Sequence, residues 1–131
     1  MDADLPLGRV ADVRRLPPRS RPGEAAEQAL CLHLKALGIA HEVQYPWGRT
    51  LSPPREFLSD AAVPAVRLLI EVDGRAHIAG WARFCKDMKR RRLATFAGWH
   101  MLAFTPAEAE DGTAALEVER FLTQLREKAR S

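Results

Sequence analysis

No apolar run in the 131 residues approaches the roughly 20 needed to span a bilayer, so a membrane span is not expected. The first residues carry Asp2, Asp4 and scattered arginines with no apolar run behind them, which argues against a secretory leader. Cysteine is scarce. Cys31 and Cys85 stand in neither a metal-binding nor a redox spacing, which leaves no basis for a thiolate metal centre or a disulfide framework. They read as free, buried thiols in a reducing, cytoplasmic setting. Internal repeats and low-complexity tracts are also missing. What is present, 47% hydrophobic and 28% charged residues, is ordinary for one globular domain large enough to build its own core.

Charge of one sign is equally short in total. Twenty Lys and Arg face 17 Asp and Glu, a formal balance of +3. Its distribution is more informative. Residues 1–22 carry a balance of +2, residues 23–82 one of −2, and residues 107–131 one of −2. Residues 93–106 carry no Asp, Glu, Lys or Arg. The ten residues 83–92, RFCKDMKRRR, hold six basic side chains and one acidic one, a balance of +5. Such a local surplus favours an anionic partner at one place over a uniformly basic shell.

Residues 1–22 hold four of the nine prolines and five arginines with no apolar period, and read as an extended arm. Such an arm is either a solvated tail or a contact to nucleic acid. Residues 23–131 read as the folded domain. Ala26, Leu30, Leu34 and Leu37 recur at helical spacing over 24–37, and Gly38 stops that helix. Residues 41–47 read as a strand with Val43 and Tyr45 on one face, and 48–54 as a turn. Two further strands are expected over 57–63 and 67–73, joined by a turn at Pro64 and Ala65. The second, RLLIEVD, is nearly all apolar before its acidic end and reads as central. A helix over 81–97 would use Trp81, Phe84, Met88, Leu93 and Phe96 as core contacts, and 99–104 reads as a buried strand. Thr105, Pro106 and Glu108 match a helix start, with cap, first-turn proline and capping-box acid. A last helix over 114–129 would set Leu116, Phe121, Leu122 and Leu125 on or near one face. The order is α-β-β-β-α-β-α.

The chemistry concentrates at the ends of the two middle strands. Phe57-Leu-Ser-Asp60 brings one acid, and Ile70-Glu71-Val72-Asp73-Gly74 brings two more. Glu71 and Asp73 share a face because strand side chains alternate with a period of two. A hairpin around Pro64 would set Asp60 opposite or near Glu71. Converging carboxylates repel and must protonate or bind a cation, and oxygen-only clusters suit Mg²⁺ or Mn²⁺. The plainer reading takes Asp73-Gly74 as a turn and Asp60 as a strand-end cap.

Set in order, these residues form a pattern: Glu27 ahead of Gln28-Ala29-Leu30, Gln44-Tyr45, Phe57-x-x-Asp60, Glu71-x-Asp73-Gly74-x-x-His77, Asp87-x-x-Arg90 and Gly98-Trp99. The pattern resembles the PD-(D/E)XK nuclease superfamily, and within it the small domains similar to very-short-patch-repair endonucleases. The resemblance runs from about Glu24 to Thr105. It implies a restriction-endonuclease-like α/β core with a mixed central sheet, and a Mg²⁺-dependent DNA endonuclease in which Mn²⁺ substitutes. Asp60, Glu71 and the Val72 carbonyl would hold the metal, with Glu27 reaching the same place directly or through water. The superfamily's lysine, two residues after the second acid, is replaced here by Asp73, although the closer relatives also show E-x-D-G. That leaves the general base open. His77 is the best candidate, because neutral imidazole takes a proton near pH 7. The alternative is a loop histidine capping the next helix. Lys86, Lys89 and Arg90 could replace the missing positive charge, and Arg83 extends the same basic run. Arg90 either pairs with Asp87 three residues away or clamps a phosphate. Gln44 would lie beside the bound nucleic acid. Trp47 and Trp81 either pack in the core or stack on bases.

The substrate expected from the resemblance is structured or mismatched DNA, and nothing in the residues separates DNA from RNA. A mismatch-nicking enzyme could act as a monomer. A four-way-junction resolvase would need a homodimer, for which helix 114–129 is a possible interface. A third possibility is a nuclease-fold binding module that has lost catalysis.

Overall fold

A computed structural model describes residues 24–74 and 80–130. The arm expected over 1–22, and His77, lie outside the described residues. Helix α1 (Glu24–Ala36) places Glu24 and Glu27 in its first turn and Lys35 in its last, which complements the helix dipole. Ala26, Leu30 and Leu34 form its buried stripe. Gly38, at a φ of 75°, ends it. The Gly38 N–H donates to the Lys35 carbonyl and the Ile39 N–H to the Leu34 carbonyl, a Schellman arrangement that needs a left-handed residue between them.

Four strands follow: β1 (Glu42–Tyr45), β2 (Ser59–Val63), β3 (Leu68–Val72) and β4 (His100–Phe104). They form one mixed sheet in the order β1-β2-β3-β4. β1–β2 and β2–β3 pair antiparallel, and β3–β4 pair parallel. The tight β2–β3 link is a short helical turn at Pro64–Val66, closed by Arg67 in the left-handed region at a φ of 54°. A parallel pair needs a long crossover, and α2 (Trp81–Phe96) supplies it. The Thr105 capping box then starts a short helix, α3 (Pro106–Glu110), which stops before Gly112, and α4 (Thr113–Arg130) follows as a separate helix. The expected α/β class and element order are therefore present, with α3 added.

The sheet separates two cores of unequal composition. One face buries Ala61, Leu68 and Ile70 against α1, α3 and α4, through Leu30, Leu34, Ala109, Val118 and Leu122. The other buries Trp47, Ala62, Leu69, Ala94 and Trp99. Alternation along β3 explains the division: Leu68 and Ile70 face one side and Leu69 the other, all fully buried.

Several packing expectations are overturned. Of the five apolar residues assigned to the core from 81–97, Trp81, Phe84, Met88 and Phe96 are exposed. The inward stripe of α2 is instead Asp87, Arg90, Arg91 and Ala94, which recur at the same helical spacing on another face. Leu116, expected on or near one face with Leu122, is exposed while Leu122 is buried, because Ala114, Ala115 and Val118 take the inner face. Leu37 is exposed just past the end of α1. Cys85 is an exposed thiol rather than a buried one, and Cys31 is half-buried. Val43 and Tyr45 do not share a face. Tyr45 packs edge-on to Trp99 at 5.8 Å, whereas Val43 lines a groove beside α1. Between them Gln44 adopts a φ of 47°, which breaks the alternation.

The segment between β1 and β2 is pinched at Gly48. Its N–H donates to the Phe57 carbonyl and its carbonyl accepts from the Arg55 N–H, at 3.2 and 2.9 Å. A Cβ at this position would lie 2.7 Å from the Phe57 nitrogen and closer still to the Arg55 carbonyl oxygen, both rigid backbone atoms. Gly48→Ala is therefore expected to destabilise the fold by about 1–3 kcal/mol, the range for overpacking. A denaturant midpoint unchanged from wild type would contradict this pinch.

Candidate functional site

The candidate residues lie along one end of the sheet, with α1 on one of its faces and α2 on the other. The register Ala61↔Ile70, continued by one step, sets Asp60 opposite Glu71. The register Val43↔Ala61 likewise sets Gln44 opposite Asp60. Gln44, Asp60 and Glu71 thus occupy neighbouring positions on three adjacent strands. Ser59 helps fix this end of β2. Its buried hydroxyl, which has one proton, lies 2.7 Å from the Ala61 carbonyl and 3.0 Å from the Ile70 carbonyl.

Glu27 approaches from α1, and the Gln44 Nε2 lies 3.4 Å from its Oε1, a long hydrogen bond. The left-handed backbone at Gln44, a conformation that costs a non-glycine residue about 1–2 kcal/mol, accompanies this contact. Glu27, Gln44 and Asp60 line one groove of about 550 Å³, together with Cys31, Lys35 and His41. Burial pushes the Cys31 thiol pKa up, and the charges of Glu27 and Asp60 push it the same way. Asp60 accepts a hydrogen bond from the Val72 N–H on its Oδ2 at 2.8 Å. This contact ties the strand end of β2 to β3, as the strand-cap reading expected.

Glu71 faces α2. Its two oxygens accept from the two terminal nitrogens of Arg90, at 3.0 and 3.2 Å, a bidentate pair. The side chains are 17% and 14% exposed, so water screens the pair only in part. Arg90 also donates to Asp87 at 2.8 Å. Arg91 donates to the other oxygen of Asp87 at 2.9 Å and lies 3.7 Å from Asp73. The result is one chain of charges: Glu71, Arg90, Asp87, Arg91, Asp73. The intrahelical pairing of Asp87 with Arg90 is present, and the same guanidinium also holds a candidate metal ligand. Arg90 is therefore not an open phosphate clamp in this arrangement. Arg91 is absent from the residues expected at the site, although its four-residue spacing from Asp87 is an ion-pair signal.

Burial pushes the Glu71 carboxyl above its ordinary pKa. The hydrogen bonds and charge of Arg90 oppose that shift, and the charges of Asp60 and Asp87 add to it. Burial acts against the Asp87 charge too, but the Arg90 hydrogen bond and the charges of Arg91 and Arg90 outweigh it and hold that carboxyl low. The two acids therefore respond oppositely to pH. Asp87 contributes stability above its unfolded pKa, which is lost as pH falls through its lower folded value. Glu71 costs stability as pH rises from its unfolded pKa through its higher folded value.

The donor chemistry, carboxylate oxygens from Glu27, Asp60 and Glu71, suits a hard divalent ion. The arrangement does not yet suit one. Among the described residues no three His, Cys, Asp or Glu side chains are grouped to hold a metal. Both Glu71 oxygens face Arg90 and one Asp60 oxygen accepts from Val72.

The remaining candidates flank this centre. Arg83, Lys86 and Lys89 are exposed on α2. Trp81 and Phe84 stack on each other at 5.4 Å, 77% and 50% exposed, beside the exposed Met88. Trp47, by contrast, is fully buried, against Phe57 at 5.2 Å, and belongs to the core. No helix among the described residues is long and apolar enough to cross a membrane.

Arg90→Ala is expected to raise the Glu71 pKa further, because burial remains while the opposing charge is removed. Carboxyl NMR titration would read the shift, and a lowered value would contradict the pairing. The same variant is expected to lose about 1–3 kcal/mol at neutral pH, the range for hydrogen bonds to charged groups.

Compared with known protein families, characterised proteins and solved structures, the chain matches none.

Proposed function

We propose that the chain is a DNA endonuclease of the PD-(D/E)XK type, dependent on Mg²⁺ or Mn²⁺, with a restriction-endonuclease-like core. The observation that carries this reading is the alignment of Gln44, Asp60 and Glu71 on neighbouring strands, with Glu27 beside them, next to a helix whose 83–92 segment has a balance of +5. Acids facing a phosphodiester require a cation partner, and a basic helix beside them attracts the flanking phosphates. Arg83, Lys86 and Lys89 bind backbone phosphates without reading sequence. The exposed Trp81–Phe84 stack favours substrates with unpaired bases, since aromatic faces stack on any base. That points to structured or mismatched DNA.

A second reading, a binding module without catalysis, is favoured by one observation: Arg90 closes on both Glu71 oxygens. A dimeric junction resolvase has less support, because the apolar side of α4 is turned into the chain's own core and Leu116 is its one large exposed apolar residue among those described.

Cleavage of labelled duplex, mismatched and four-way DNA, and of RNA, with Mg²⁺ or Mn²⁺ separates these readings. Cutting is expected, and Asp60→Ala and Glu71→Ala are each expected to lower it by at least about 100-fold, since loss of a direct ligand costs no less than the roughly 10–100-fold lost with a group that only supports one. Cutting that persists in both variants would sink the assignment. Binding of DNA with no cutting of any substrate would establish the module. Lys86→Ala with Lys89→Ala is expected to weaken binding on all sequences alike and to reduce its salt dependence by about two phosphate contacts.

A further inference from the structure

We infer that the outer face of α2 is a metal-independent track for an unpaired DNA strand, and that it holds this strand across the helix from Glu71 rather than in front of it. The inference rests on the nucleic-acid reading above, but on neither its metal nor its cleavage step. Trp81, Phe84, Met88 and Phe96 are all exposed, Phe96 by 81%. Successive steps of three, four and eight residues place them in one stripe along the helix. Arg90, which holds Glu71 at 3.0 Å, stands two residues from both Met88 and Arg92, close to half a turn, so the stripe lies on the far side of the helix. A helix with its side chains is about 10 Å across, and a nucleotide on the stripe is therefore not the one that faces the acids.

Charge and ring geometry decide what this face takes. Lys86, Lys89 and Arg92 recur at every third residue, a row of exposed cations that runs beside the stripe and enters it at Arg92. The one acid of the helix, Asp87, is turned to Arg90 and Arg91 at 2.8 and 2.9 Å. Cations set among ring faces hold a single strand, its phosphates on the former and its bases on the latter. The Trp81 and Phe84 rings lie 25° from parallel with centroids 5.4 Å apart, so an incoming base extends a stack already formed. At the other end Phe96 forms one wall of a cleft of about 340 Å³, with Thr50, Ser52, Pro53, Arg55 and Leu93 around it. That cleft offers a terminal base an aromatic ring, two hydroxyls and a guanidinium. The 16 residues of α2 extend about 24 Å, the length of about seven bases stacked at about 3.4 Å. A lipid surface fits this face less well, because Arg92 interrupts the apolar stripe. A second copy would set one row of cations against another.

Titration of the full-length chain with a twelve-residue oligothymidylate, in EDTA at low salt, tests the track without metal or cutting. Trp47 and Trp99 are buried and Trp81 is exposed, so quenching of tryptophan emission reports on Trp81. Saturable quenching is expected. Read by the anisotropy of a labelled strand, Trp81→Ala, Phe84→Ala and Phe96→Ala are each expected to weaken binding by about fivefold or more, the lower end of what one base–aromatic stack contributes. Affinity for a blunt duplex of the same length is expected to stay nearly unchanged in all three. On a double-logarithmic plot, single-strand affinity is expected to fall with salt at a slope of about −2 for three phosphate contacts, and of about −1.4 in Arg92→Ala. Leu116→Ala, an exposed apolar position on α4, is expected to leave binding as it is. The substituted side chains all lie outside both cores, so a loss of binding is not a loss of fold.

Equal losses on single strand and duplex would overturn the track, as would unquenched emission while labelled DNA still binds, and both leave the nuclease reading standing. A blue shift of tryptophan emission on vesicles of phosphatidylcholine and phosphatidylserine, with no response to the oligonucleotide, would overturn it in favour of a lipid surface. A dimer that Phe84→Ala dissociates, again with no response to the oligonucleotide, would overturn it in favour of a second copy. Absence of binding to any DNA, together with absence of cutting, would overturn both readings.

Discussion

The double burial of β3 is the constraint from which the rest of the chain takes its arrangement. Leu68, Leu69 and Ile70 are fully buried, on opposite faces of the sheet, and each burial is worth about 1.5–3 kcal/mol. Such a strand needs cover on both sides and a hydrogen-bonded neighbour at each edge. The antiparallel neighbour β2 comes through a tight turn, and the parallel neighbour β4 comes only after a crossover, which brings α2 to one face. Beyond Ile70 the strand stays apolar on one face only, with Val72 packed against the core on the α1 side, and the alternate side chain, Glu71, emerges toward α2. The acid occupies that place because the apolar core on the α2 side takes Leu69 and no later residue of β3.

Helix α2 meets this requirement unusually. Its last turn packs by Ala94, and its middle packs by charge, through Asp87, Arg90 and Arg91. A half-buried bidentate pair fixes the rotation of a helix as firmly as an apolar stripe, since leaving either partner unpaired is expensive. With that rotation set, Trp81, Phe84 and Met88 face outward on a strongly basic surface. Exposed aromatics and cations on one helix follow from the same cause: the inner face is already taken by ions.

The legible and illegible parts of the sequence divide along these lines. Local signals held: the helix-ending Gly38 and Gly98, the Thr105 capping box, the apolar run of β3, and the hairpin at Pro64 that brings Asp60 to Glu71. The face of α2 is not legible, because hydrophobic periodicity assigns apolar residues inward and the competing pair joins residues 19 apart in sequence. No local pattern announces such a contact. Alternation puts Val43 and Tyr45 on one face only if the backbone is regular, and Gln44 departs from regularity. The neighbouring placement of Asp60 and Glu71 is legible from the strand ends alone, whereas the engagement of Glu71 by Arg90 needs three dimensions.

The sharing of Asp87 between two arginines has a thermodynamic consequence. Arg90 leads from Asp87 to Glu71, and Arg91 leads from it to Asp73, so the two acids at the end of β3 draw on one common anion. Energies measured at Glu71 and at Asp73 are therefore not separable: altering one redistributes the arginines available to the other. The tip of β3 behaves as a single electrostatic unit of five side chains, and its members are tuned together.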